Sequence, residues 1–182
     1  MKQSIAWVSA LVLAGVSGAA TAADSIKIGF MNTLSGPASP PGIDQRDALQ
    51  LAMKTLGGKI GGLKAEVEIV DDQFSPDAAK QGVERLLKRD KIDVLTGITY
   101  SNIMLAVAPS VFANKTVLIS SNAGPALLAG KECSPYFFSA SWQNDAPHEA
   151  AGKYMQGKGY KKVAVIAPNY PAGKDAVTGF KR

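Results

Sequence analysis

One cysteine and one histidine in 182 residues remove several chemistries at once. Cys133 has no second thiol, so the chain cannot form an internal disulfide. That leaves it either a buried small hydrophobe or a thiol whose partner lies in sequence outside this chain. His148 falls in the first turn of an expected helix, in "NDAPHEA", with no serine elbow and no second metal ligand near it. Zinc sites need three or four clustered protein ligands, so neither catalysis nor metal binding is expected of it. The sequence also lacks a phosphate loop and a dinucleotide fingerprint, and no cofactor is expected.

Basic residues are in modest excess, 20 against 15 acidic, for a formal charge of +5. They gather in "RLLKRDK" and "GKGYKK" without interleaved aromatics, as solvated helix ends and loops do, which argues against a nucleic-acid partner.

What is there begins with a leader. "MKQSIAWVSALVLAGVSGAATAA" has an early lysine, an apolar middle and small residues at its end, the pattern of a cleavable secretory signal peptide. Its apolar run is shorter than the roughly 20 residues a membrane span needs. A cut after Ala22 or Ala23 would leave an exported, periplasmic chain of charge +4, with 19 basic residues against 15 acidic once Lys2 is gone.

Beyond the leader, β-rich runs alternate with helical periods. "IKIGFM" precedes 43–56, "AEVEIV" precedes 76–89, "IDVLTGI" precedes 102–112, and "TVLIS" follows. This order is expected to give an α/β fold with a doubly wound parallel sheet. Right-handed crossovers would place the ligand loops at the carboxyl ends of the strands. In the helix containing Val83, Leu86 and Leu87 those residues form one buried stripe, while Lys80, Glu84, Arg85 and Lys88 face water. A second series then opens with a helix near 147–156, a strand "KKVAVIAP" and a helix from about Gly173. The expected organisation is a signal peptide over 1–23, an N-terminal α/β lobe over 24–140, and a hinge crossover with the incomplete start of a second lobe over 141–182. A fragment of a longer protein is the simplest account.

"GGKIGG" follows a helix and precedes a strand, so it reads as a helix C-cap and turn, not an anion loop. Asp71 and Asp72 end a strand; neighbours on a strand point to opposite faces, so they read as a capped strand end, with a cleft-edge role left open. Three loops remain, "NTLSGPASPPG", "TYSNIM" and "SSNAGP". Each follows a strand and offers hydroxyls, amides and bare backbone. Such loops suit a carboxylate, with Ser101 and Asn102 at a helix start.

The motifs "IKIGFMNTLSGP", "EVEIVDDQFSPDAAKQGVERLL", "VLTGITYSNIMLAVAP", "VLISSNAGPALLAG" and "FFSASWQND" occur in an order and spacing that resembles the periplasmic solute-binding proteins of ATP-binding-cassette importers of the branched-chain amino acid type. The resemblance covers Ser25 to Arg182. It implies a type I periplasmic binding fold of two similar lobes closing on a solute, a membrane permease as partner, and a monomer. It implies a ligand carboxylate held by Ser101, Asn102, Ser121, Asn122, Ala123 and Gly124, with Leu34 and Ser35 on the cleft floor.

Two departures from that family stand out. Amino-acid-binding members place an aspartate after the crossover to meet the ligand ammonium, whereas this sequence has Asn144 in "SWQND", with Asp145 one residue on. "GPASPPG" has proline where many relatives carry a tyrosine near the ligand. Together with Trp142, for which ring stacking and hinge packing both stay open, this looks like the branch that takes up aromatic acids. The expected function is therefore a non-enzymatic receptor for a small carboxylate, either a branched-chain amino acid or an aromatic acid. A ligand sensor for a signalling partner and an enzyme on a doubly wound scaffold are the alternatives.

Overall fold

The chain is described here from a computed structural model covering residues 24–182; the expected leader, 1–23, lies outside the described residues. Its sheet is built outward from β1 (Ser25–Asn32), which pairs in parallel with β3 (Leu63–Asp71) on one side and β4 (Val94–Gly97) on the other. Beyond β4 come β5 (Val117–Ser120) and β6 (Phe137–Ser139), both parallel, and the order is β2-β3-β1-β4-β5-β6. The two-residue β2 (Lys59–Ile60) folds back antiparallel on β3. Its turn is "GGKIGG", where Gly57, Gly58, Gly61 and Gly62 all have positive φ. Only glycine takes that conformation without strain, so these glycines form turns on either side of β2 as well as the helix end expected of them.

Helices alternate with the strands: α1 (Pro40–Thr55), α2 (Pro76–Arg85), α3 (Ser101–Ala113) and the single-turn α4 (Ala126–Ala129). Because β1 passes to β3 in one direction and β3 to β4 in the other, right-handed crossovers put α1 on one face and α2 with α3 on the opposite face. The main core lies under that second face. Met31, Leu95 and Leu118 from the sheet meet Val83 and Leu86, and Ile103, Met104, Val107 and Val111 from α3, all fully buried. Burying each such side chain contributes about 1.5–3 kcal/mol. The stripe of Val83, Leu86 and Leu87 is buried as its spacing requires, but the helix does not run regularly to Arg89. After Arg85 it loosens into a π-helical turn, Leu86–Asp90, that ends at Lys91 in the left-handed region.

The run "KKVAVIAP" forms no strand, contrary to expectation. A strand exists only when a neighbour accepts its backbone bonds, and among the described residues this run has none. Ile166 is 99% exposed. On either side of it, α5 (Ala146–Gly157) and α6 (Pro171–Lys181) pack against each other. A Cβ on Gly179 would strike the Asp145 carbonyl oxygen, so glycine is needed for that approach. Cys133 is exposed, which rules out the buried-hydrophobe reading.

Candidate functional site

The strand order reverses at β1, between β3 and β4, and doubly wound sheets bind ligands outside the carboxyl ends of the strands at such a point. The loops after β1, β4 and β5 all emerge there. Each is fixed by polar groups that arrive from elsewhere in the chain.

The first loop is held by Asp71, the last residue of β3, and by Asp72, the residue after it. Asp71 Oδ1 accepts the N–H of Leu34 at 2.8 Å and that of Gln73 at 2.9 Å. Asp72 Oδ1 accepts the Thr33 hydroxyl and, at 2.8 Å, the Phe74 N–H. Both carboxylates therefore serve the same loop, which adjacent strand positions alone would not suggest. Burial acts to raise the pKa of Asp71, but hydrogen bonds from the Ser35 hydroxyl and from the N–H groups of Leu34, Gln73 and Ser35 outweigh it and hold the group below its ordinary value. Asp72 goes the other way. It is fully buried, its Oδ2 has no partner, and burial together with the charge of Asp71 raises it despite the bonds from Thr33 and Phe74.

The three loops are joined through Gln45 of α1. Its Oε1 accepts the Ser121 hydroxyl at 2.6 Å and Asn32 Nδ2–H at 3.3 Å, and its Nε2 donates to Thr99 Oγ1 at 2.8 Å. Asn32 Oδ1 in turn accepts from Thr99 Oγ1 at 2.8 Å and from the Thr99 N–H at 3.2 Å. Asn122 Nδ2 donates to the Thr99 carbonyl at 2.9 Å. Tyr100 closes the far side: its hydroxyl donates to the Ala38 carbonyl at 2.8 Å, and its ring meets Phe74 edge-on at 4.7 Å and Tyr170 at 6.5 Å.

A second cluster surrounds the start of α3. Asn144 Nδ2 donates to Ser101 Oγ at 3.0 Å, its Oδ1 accepts the Gly124 N–H at 3.3 Å, and its own N–H donates to the Gly124 carbonyl at 2.8 Å. A Cβ on Gly124 would strike the Trp142 carbonyl oxygen, so the crossover can lie this close only over glycine. No side chain caps the α3 N-terminus, where the helix dipole favours negative charge.

The residues expected to touch solute thus separate into groups. Asn144 bonds both Ser101 and Gly124, while Ser121 and Asn122 join the Gln45 network. Ser101, Ala123 and Gly124 are buried; Ser35, Ser121, Asn122 and Trp142 are exposed; Leu34, Asn102 and Asn144 are half-buried. Asn102 Oδ1 is buried without a partner. Trp142 is 63% exposed, so packing within the described residues does not account for it. Asp145, the alternative acid, is buried and paired at 2.7 Å with Arg182, away from this cluster. Gln45, Asn32, Thr99 and Tyr100 were not singled out by the sequence, nor was Asp175 of α6, whose Oδ2 accepts from Asn144 Nδ2. Their one advance signal was polarity where a strand end or an inward helix face should be apolar.

The aligned residues 25–182 match the family described as periplasmic binding protein. The Leu/Ile/Val-binding protein homolog 6 of Brucella abortus (strain 2308) is 27% identical over 177 residues, covering 95% of this chain and 44% of that protein. A solute binding protein of an ABC transporter from Rhodopseudomonas palustris BisB5, solved in complex with 3,4-dihydroxy benzoic acid, superposes with a TM-score of 0.80 at 30% identity, over 87% of this chain and 43% of that one. A second R. palustris solute binding protein, in complex with benzoate, gives 0.80 and 30%, over 86% and 44%. This chain spans less than half the length of these relatives.

Proposed function

The chain belongs to the periplasmic binding protein family, and from that premise we propose that it is the solute-binding receptor of an ABC importer, or a part of one. In this reading it works outside the cytoplasm, catalyses nothing, and passes a small carboxylate to a membrane permease. The lobe boundary lies after residue 140, and the solute sits between the loops after β1, β4 and β5 and the segment that follows.

The observation that carries this reading is the character of those loops. They converge at the switch point of the sheet and present hydroxyls, amides and an uncapped helix N-terminus, all neutral groups suited to a carboxylate. In the proposed bound state the Ser101 hydroxyl donates to the carboxylate, with Asn102, Ser121, Asn122, Ala123 and Gly124 around it. Leu34 and Ser35 form the floor, and Trp142 offers its exposed ring as a stacking face, worth about 0.5–1.5 kcal/mol beyond area burial.

An aromatic acid is favoured over an amino acid. Asn144 supplies no charge for an ammonium group, Asp145 is taken by Arg182, the Asp175 carboxylate is taken by Asn144 and the Ala126 N–H, and the benzoate-type complexes are those of relatives at 30% identity. A thermal-shift comparison tests this: benzoate and hydroxybenzoates should raise the melting temperature, and leucine, isoleucine and valine should not. Stabilisation by the amino acids alone would reject the aromatic-acid assignment.

A further inference from the structure

Asp175 lies on α6, outside the set expected to meet solute, yet its carboxylate reaches back to the solute loops. Its Oδ2 accepts the Ala126 N–H at 3.0 Å and one Nδ2 hydrogen of Asn144 at 3.0 Å. The other Nδ2 hydrogen goes to Ser101 Oγ at 3.0 Å, and Asn144 Oδ1 takes the Gly124 N–H. Both donors of the Asn144 carboxamide and its acceptor oxygen are therefore used, each in a fixed direction. A carboxylate in place of this amide could fill neither donor role and would set two carboxylates a hydrogen-bond length apart. Asp175 thus gives a physical reason for an amide at this position.

The same directions decide the state of Ser101. Its Oγ already accepts from Asn144, and its hydroxyl hydrogen has no acceptor among the described residues, so Ser101 is left as a donor. We propose that Asp175 is a positioning residue: it orients the Asn144 carboxamide so that Ser101 keeps its proton for the solute carboxylate, and it ties α6 to the loops through Ala126. The inference rests on the receptor reading above for its solute, but its hydrogen bonds are testable without one.

The test pairs Asp175→Ala with the double variant N144D/D175N, which exchanges the amide and the acid, reading backbone amide exchange at Gly124 and Ala126 by NMR and benzoate affinity by calorimetry. In the exchanged pair, the amide now on α6 can accept from the Ala126 N–H and donate to the carboxylate now on the crossover, and that carboxylate still accepts from the Gly124 N–H. Ser101 must then give its proton to the relocated carboxylate. The double variant should therefore keep slow exchange at both amides while losing about tenfold to a hundredfold in benzoate affinity, the worth of one hydrogen bond to a charged group. Asp175→Ala should speed exchange at Ala126 by about tenfold or more, since that amide loses its acceptor. Unchanged exchange at Ala126 in Asp175→Ala, or unchanged benzoate affinity in the double variant, overturns the assignment. If benzoate binds neither the parent chain nor the chain completed with the second lobe of a relative, the receptor reading fails, and exchange at Ala126 still decides whether Asp175 holds α6.

Discussion

Gln45 accepts the Ser121 hydroxyl at 2.6 Å across 76 positions of sequence, and the same side chain bonds Asn32 and Thr99. One residue of α1 thus fixes the loops after β1, β4 and β5 relative to one another. Gln45→Ala would leave Asn32, which is fully buried, and Thr99, 8% exposed, short of a partner. An unsatisfied buried polar group costs about 1–3 kcal/mol, so urea denaturation should show a loss in that range. A loss under about 0.5 kcal/mol, half the low end of that range, would mean that the loops do not depend on Gln45.

Asp72 makes a prediction about pH. Its folded pKa is raised by burial above the unfolded value, so the native state binds its proton more tightly than the unfolded chain does. Ionising it works against folding, and stability is regained as pH falls through the carboxylate range. Asp72→Asn keeps an acceptor for Thr33 and Phe74 without the charge. The variant should melt above the parent at pH 7, and the two melting curves should converge in acid. A gap that widens in acid would reverse the sign and refute the burial argument.

Gly124→Ala should cost about 1–3 kcal/mol, the usual range for forcing an extra carbon into a filled space, because its Cβ would meet the Trp142 carbonyl. Faster amide exchange at Asn144, whose N–H bonds the Gly124 carbonyl, would locate the damage at the crossover. Exchange unchanged there would show that the approach is not tight.

Ser101→Ala removes the donor that the account assigns to the solute carboxylate. Affinity for benzoate should fall by about 1.5–3 kcal/mol, the worth of a hydrogen bond to a charged group, with the fold intact by circular dichroism. Equal affinity in parent and variant would move the carboxylate elsewhere.

The parts of this molecule that were legible in the sequence are those set by local pattern. Alternating β and helical periods pointed to the parallel sheet, and the spacing of Val83, Leu86 and Leu87 to the buried face of α2 and the turn that follows it. What stayed hidden depends on partners distant in sequence. "KKVAVIAP" has the composition of a strand but no neighbour to pair with among the described residues, and composition carries no information about that. The loop motifs pointed to Ser101, Ser121 and Gly124, yet nothing local to Gln45 or Asp175 shows that they brace those residues. Asn144 read in isolation as a missing charge; beside Asp175 and Ser101 it is a spacer that supplies two donors.

The proposal that a flat carboxylate is held here by neutral donors underlies the expectations above. The measurement to make is isothermal titration with benzoate of this chain completed by the second lobe of a benzoate-binding relative, since the chain spans less than half of such relatives. Saturable one-to-one binding that weakens in Ser101→Ala is expected; binding indifferent to that substitution, or no binding at two temperatures with the cleft completed, would refute it.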